Sequence, residues 1–186
     1  AKDSAKTLSS IESAAEGLKK SADTLTAKGS KSVFNQVDIE TKDENGVKST
    51  TRGYDTNAIY KAVSNFVDDY NSVIKQAGSA ESTSIQNRVK SMTGATSANE
   101  KLLSQVGISI NENRTLSIDE KAFKAADMTT VKTLFNGNAS YADRISAQAT
   151  MLDHTANVEA TKADTYNYNG MYNNAYTSGG IFDYGF

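Results

Sequence analysis

The side chains that could carry catalysis are few and scattered along the sequence. A single histidine, His154, follows Asp153 in a segment with helical periodicity. Neighbouring residues of a helix point to different faces, and no nucleophile accompanies the pair, so we interpret His154 as an exposed or rim residue. The sequence contains no glycine-rich phosphate loop, zinc-ligand spacing or serine-hydrolase elbow.

Two pairs of carboxylates could in principle perform acid–base chemistry. Asp38 and Glu40 share one face of a predicted strand, and Asp68 and Asp69 are adjacent in a predicted helix. Glycoside hydrolysis needs two carboxylates about 5 to 10 Å apart across a cleft, and no cleft is predicted here. The oxygen-rich turns at 43–46 and 111–113 also lack the ligand spacing of an EF-hand. We therefore predict no catalytic site, metal or cofactor.

The composition favours an extended helical protein rather than a compact enzyme. Of the 186 residues, 38% are hydrophobic, and none is Pro, the strongest helix breaker. The absence of Cys excludes disulfides and thiolate metal sites. A net charge of −2 with sparse lysines predicts no nucleic-acid partner, and no apolar run approaches the ~20 residues needed for membrane insertion. The chain begins at Ala1 rather than Met, which is typical of a fragment or a processed product.

Apolar residues spaced by three and four predict four long helices. These helices are expected over residues 1–26, 55–77, 82–106 and 140–160, with the third kinked or split near Gly94, because glycine disfavours helix. The spacing produces heptad seams that we expect to line one shared core. The seam of the first helix comprises Leu8, Ile11, Ala15, Leu18, Ala22 and Leu25.

Two β-hairpins are predicted between the helices, at about 32–54 and 107–119. In the first, Asn45-Gly46 supplies the positive φ angles of a two-residue hairpin loop, and its polar strands predict a solvent-facing projection. In the second, asparagines of the turn 111–114 are expected to take the left-handed conformation. Asp119 and Asp127 are predicted to cap two short helices that follow, and Asp55 and Ser140 are predicted to cap the second and fourth long helices.

The sequence thus predicts a mainly α fold, an elongated antiparallel helical bundle or coiled coil of about four helices with two small inserted β-hairpins. Residues 1–164 would form this single domain. Residues 165–186 differ in kind, since they are rich in Tyr, Asn and Gly and contain few aliphatic core residues, so we interpret them as a docking tail. The candidate partner-binding residues are its aromatic side chains, Tyr166, Tyr168, Tyr172, Tyr176, Phe182, Tyr184 and Phe186.

Two stretches resemble a known family. Residues 107–135 contain a Gly-Ile strand, a turn, Thr-Leu-Ser-Ile-Asp-Glu, a helix and then Thr-Val-Lys-Thr-Leu-Phe. This pattern resembles the C-terminal region of flagellar hook-associated protein 2, the filament-capping protein. Residues 65–71, Asn-Phe-Val-Asp-Asp-Tyr-Asn, are similar to that family's Phe-Val-x-x-Tyr-Asn segment. The resemblance covers roughly residues 55–160, and the family's additional head domains have no counterpart in this sequence.

The resemblance implies a non-enzymatic structural protein of the bacterial cell exterior or flagellum, which works by protein–protein association. In that family the terminal helices form a leg that contacts filament subunits and other cap subunits, so self-association or flagellin-like subunits are the expected partners. The alternative is a secreted or surface binding module, adhesin-like, that recognises a glycan or a host protein through the tyrosines and the Asn45-Gly46 hairpin. An enzyme is the least favoured hypothesis.

Overall fold

The fold of the chain is mainly α-helical. A computed structural model describes residues 3–173, with side chains for residues 3–162. Within that part there are seven α-helices and two antiparallel β-hairpins. The mainly helical class and the two small hairpins are as the sequence predicts. The elements in chain order are α1 (Ala5–Thr26), β1 (Gln36–Lys42), β2 (Lys48–Tyr54), α2 (Thr56–Ala77), α3 (Thr83–Ala98), α4 (Glu100–Gln105), β3 (Ile108–Ile110), β4 (Leu116–Ile118), α5 (Glu120–Ala125), α6 (Met128–Phe135) and α7 (Tyr141–Asn173).

The predicted heptad seams form the hydrophobic core. Every seam residue of α1 is buried, and α2, α3 and α7 contribute buried apolar residues to the same cluster. The principal seam residues of these three helices are Ile59, Val63, Phe66, Tyr70, Val73, Ala77, Ile85, Val89, Met92, Ile145, Ala149, Leu152 and Ala156. Burial of such a stripe, rather than intrinsic propensity, holds Ala- and Ser-rich helices of this kind in place.

Helices α1 and α7 run antiparallel to each other. The Ser146 hydroxyl donates to Asp23 at 2.7 Å, and the Asn157 amide donates to Glu12 at 3.1 Å. Residue numbers therefore increase along α7 as they decrease along α1. The same register places Ala5 level with Asp164. Because α7 ends at Asn173, its last nine residues continue about 13 Å beyond the start of α1.

Side-chain caps begin the helices where the sequence predicts them. The carboxylates of Asp55, Asp119 and Asp127 accept from the backbone N–H groups of Ala58, Ala122 and Thr129 at 2.9 to 3.0 Å. The hydroxyls of Ser82 and Ser140 do the same for α3 and α7. Each bond satisfies one of the backbone donors that a helix N-terminus leaves free.

The third predicted helix is split, but at Asn99 and not near Gly94. Helix α3 continues through Gly94, around which there is open space, and the chain breaks instead at Asn99 between α3 and α4. The Asn99 side-chain amide donates to the Ala95 carbonyl at 2.9 Å, so the broken turn keeps its hydrogen bonds. Leu102, which lies within the predicted third helix, belongs to α4 and is 37% exposed.

Both hairpins close with a loop that the sequence does not predict. In the first, the Gly46 N–H donates to the Asp43 carbonyl and the Asp43 N–H to the Val47 carbonyl, both at 3.0 Å. This is a type I turn followed by one left-handed residue, Gly46 at φ +79°, and not the expected two-residue loop. The Asp43 carboxylate selects it by accepting from the N–H groups of Asn45 and Val47.

The second hairpin repeats this hydrogen-bond pattern between Asn111 and Thr115. Its left-handed residue is Arg114, at φ +72°, and not an asparagine. The Asn113 side chain accepts from the Thr115 N–H at 3.1 Å, and the Asn111 amide donates to the Thr115 hydroxyl at 3.0 Å. The asparagines therefore brace the loop through their side chains, which leaves the strained backbone position to arginine.

Candidate interaction surfaces

His154 and Asp153 point to different surfaces, as predicted. Asp153 faces α1, where burial and the carboxylates of Glu16 and Glu12 raise its pKa, against a lowering effect of His154. His154 lines an open groove of about 470 Å³ between α3 and α7, beside Arg88 and other polar residues. Among the described side chains neither hydrogen-bonds to a hydroxyl that could act as a nucleophile.

The two members of each carboxylate pair lie in different environments. Asp69 accepts a hydrogen bond from the Ser21 hydroxyl of α1, whereas Asp68 is exposed to solvent. In the first hairpin, Asp38 pairs with Arg52 at 3.1 Å, and Glu40 is exposed. The described residues contain no group of three His, Cys, Asp or Glu side chains placed to hold a metal ion.

The two stretches that carry the family resemblance meet through Asn71. This residue, the last of the 65–71 segment, lies on α2 and faces β4 of the second hairpin. Its side-chain oxygen accepts from the Leu116 N–H at 2.7 Å, and its amide donates to the Leu116 carbonyl at 2.9 Å. The side chain thus pairs with the hairpin backbone as another strand would.

An aromatic cluster makes the second junction between these stretches. The Phe66 ring packs edge-on against Phe135 at 5.5 Å and against Tyr141 at 5.8 Å between ring centroids. Phe66 belongs to the 65–71 segment, and Phe135 ends the Thr-Val-Lys-Thr-Leu-Phe sequence. Edge-to-face pairs of this kind add to the stabilisation from burial alone.

A buried polar group completes this junction. The hydroxyls of Tyr70 and Tyr141 each lie 2.8 Å from the Thr96 hydroxyl, which also bonds the Met92 carbonyl at 3.2 Å. If Thr96 donates to that carbonyl and accepts from both tyrosines, every hydroxyl is satisfied. Burial raises the pKa of Tyr70 to about 12 and that of Tyr141 well above its usual value, so both remain neutral donors. Thr96 lies next to the kink or split expected near Gly94, and its polar side chain did not indicate this role.

The first hairpin is exposed along most of both strands. Within the described residues, its two strands pair only with each other, from Gln36 opposite Tyr54 to Lys42 opposite Lys48. One face carries charge at five positions, Asp38, Glu40, Lys42, Lys48 and Arg52. The other face is uncharged and carries Val37, Ile39, Thr41, Ser49, Thr51 and Gly53. This projection matches the solvent-facing hairpin that the sequence predicts.

The aromatic candidates in the tail lie beyond the described side chains. The backbone of Tyr166, Tyr168 and Tyr172 belongs to α7, whereas Tyr176, Phe182, Tyr184 and Phe186 lie outside the described residues.

No helix in the described part is both long enough and apolar enough to span a membrane. Comparison with protein-family models, curated proteins and solved structures finds no match to this chain.

Proposed function

We propose that this chain is a non-enzymatic structural or assembly protein similar to the flagellar filament cap, which acts through protein–protein association at the bacterial cell exterior. Its architecture would be an antiparallel bundle in which α1, α2, α3 and α7 form a stalk. The antiparallel contacts of α1 with α7 and the shared apolar cluster support that arrangement.

The observation that carries the proposal is the union of the two family-like stretches. They are 45 residues apart at Asn71 and Leu116, yet they form one packed unit through that amide pair and through the contact of Phe66 with Phe135. Residues that resemble one family at two separate places, and that also depend on each other physically, favour a shared scaffold over a chance similarity of short motifs.

The position of the terminal helices supports association at the stalk. Helices α1 and α7 lie side by side, and α7 extends past the first residue of α1 toward the tail. A docking tail at this end would emerge from the stalk formed by the two terminal helices. By resemblance to the cap family, this is the region that contacts filament subunits and other cap subunits.

The proposal is tested by removing residues 165–186 and measuring self-association and binding to flagellin-like subunits. We expect both to weaken by at least about tenfold, because aromatic side chains supply most of the apolar area that this tail can bury. Two full-length variants separate the effect of losing the aromatic side chains from the effect of shortening the chain. One carries Ser at all seven candidate aromatic positions, and the other carries Ser at Asn167, Asn169, Asn173 and Asn174. Unchanged association of the aromatic-to-serine chain would contradict the docking role.

The alternative is a secreted or surface binding module on the same scaffold. The exposed hairpin, with Asn45 and Gly46 at its tip, favours it, because polar amides and flat aromatic rings suit sugar surfaces. A glycan array distinguishes the two proposals. The cap-like protein should give no sugar signal, whereas a signal that depends on the tail tyrosines or the hairpin tip would favour the binding module.

A further inference from the structure

The two edges of the first hairpin are protected to different extents. A two-stranded ribbon has two free edges, and each presents backbone N–H and C=O groups that another strand can bind. The Asp43 N–H bonds the Val47 carbonyl inside the hairpin. The alternation of an antiparallel pair then directs the backbone groups of Glu40 on β1 and of Thr50 and Arg52 on β2 outward.

The β1 edge is guarded. The Arg52 side chain crosses the ribbon, donating to the Gln36 carbonyl at 2.9 Å and to the Asp38 carboxylate at 3.1 Å. Antiparallel pairing of two β1 strands about Ile39 would also place Asp38 opposite Glu40 of the second copy, twice. Like charges directly opposite each other destabilise a sheet.

The β2 edge is self-complementary. Antiparallel pairing of two β2 strands about Thr51 places Thr50 opposite Arg52, Ser49 opposite Gly53 and Lys48 opposite Tyr54 of the second copy. No like charges oppose each other in this register, and Lys48 lies opposite the aromatic ring of Tyr54 in the second copy. Two β-branched threonines meet on the axis, and the residues with outward backbone groups face one another.

We propose that β2 is a self-association edge, at which a second copy of this chain adds its own β2 to form a four-stranded sheet in the order β1-β2-β2-β1. The charged faces of the two hairpins then lie on one side of the sheet, and the uncharged faces with Val37 and Ile39 form a continuous surface on the other. This inference goes beyond the cap-like proposal, because it depends on neither the tail nor a filament subunit.

Cross-linking tests the geometry directly, because the chain has no cysteine of its own. Thr51 lies on the twofold axis, where paired Cα atoms are about 4.5 Å apart, within the range a disulfide spans. Thr41 has the same chemistry and faces the same side, but the two copies would hold it at least three strand spacings, about 14 Å, apart. Mild oxidation should therefore link Thr51→Cys chains into dimers and leave Thr41→Cys chains monomeric. Equal linking of both, or of neither, would overturn the proposal.

A pair of proline variants tests the backbone bonds in solution. Glu40 and Thr50 are directly paired across the hairpin, and each directs its N–H outward from its own edge. Thr50→Pro removes two intermolecular hydrogen bonds per dimer, so sedimentation should show at least about tenfold weaker dimerisation. Glu40→Pro should leave the dimer unchanged. Equal effects of both prolines, or a wild-type chain that is monomeric at every concentration, would refute the β2 edge as an interface.

A chain that loses residues 165–186 should still cross-link through Thr51→Cys, which separates this interface from the tail.

Discussion

At the scale of single residues, Asn71 contributes more than its polarity suggests. Its amide satisfies both backbone groups of Leu116, which is itself buried. Without that side chain, a donor and an acceptor of the hairpin backbone would lose their partners at a half-buried site. Such groups cost about 1 to 3 kcal/mol each when they remain unpaired.

Asn71→Ala should therefore lower the free energy of unfolding by about 2 kcal/mol. Asn65→Ala is the matched control, because Asn65 lies on the same helix with an exposed side chain. Its expected effect is within about 0.5 kcal/mol. Urea denaturation of both variants measures the difference, and equal losses would show that Asn71 does not join α2 to the hairpin.

Asp153 predicts a pH dependence of stability. Its folded pKa is raised by burial and by Glu16 and Glu12, so ionisation is less favourable in the folded chain than in the unfolded chain. The loss of stability from ionised Asp153 is fully present above the folded pKa. It is relieved as the pH falls through the folded pKa toward the pKa of the unfolded chain. Asp153→Asn should stabilise the protein at pH 7, and the gain should shrink as the pH falls below the folded pKa. A gain that is the same at pH 7 and pH 4 would contradict this account.

Residue patterns predict some local features well and others poorly. The caps at Asp55, Asp119 and Asp127 follow from a side-chain oxygen placed at the start of an apolar repeat, which is a local property. The left-handed conformation of Arg114 was not predictable in this way, since nothing intrinsic to arginine favours it. It results from the hydrogen bonds that Asn111, Asn113 and Thr115 make with one another within the loop.

At the scale of elements, the two hairpins differ in what they contribute to the fold. The strands of the first are exposed almost throughout, whereas the second buries Ile108 and Leu116 in the core. We predict that replacing residues 37–53 by a two-residue glycine linker changes the free energy of unfolding by less than about 1 kcal/mol. Gln36 and Tyr54 are paired neighbours, so a short connection spans the gap and costs less closure entropy.

The control is the same glycine linker in place of residues 108–118. It should destabilise the protein by several kcal/mol, because it removes two buried aliphatic side chains and the partner of Asn71. Thermal unfolding followed by circular dichroism at helical wavelengths measures both chains. Comparable losses in the two chains would mean that the first hairpin is part of the folded body and not a projection from it.

Helices were predicted correctly where an apolar repeat extends over many residues. The prediction failed where it depended on a single residue. The seam of α1 repeats over six buried positions, which is enough to define one face. Gly94 predicted a break through its propensity, but Met92 and Thr96 on either side are buried and hold the helix together. Tertiary contacts therefore overrode an intrinsic preference of about 1 kcal/mol.

At the scale of the whole molecule, the described chain is a helical body with distinct features at its two ends. The first hairpin connects the end of α1 to the start of α2, and the extended part of α7 lies at the opposite end of α1. The sequence predicts the hairpin between the first two long helices, but it places the last helix at 140–160 and so does not predict the extension of α7 to Asn173. It does not predict the contact of Phe66 with Phe135 and Tyr141, which depends on how the helices pack.

If the protein resembles the filament cap in function, as we propose, it binds to the end of a protein filament. The most direct test is co-sedimentation of the full chain with preassembled flagellin filaments, either intact or sheared to shorter lengths at constant total mass. We predict that shearing increases the amount of bound chain in proportion to the number of filament ends. Binding that follows filament mass regardless of shearing, or a chain that stays in the supernatant in both cases, would contradict the account.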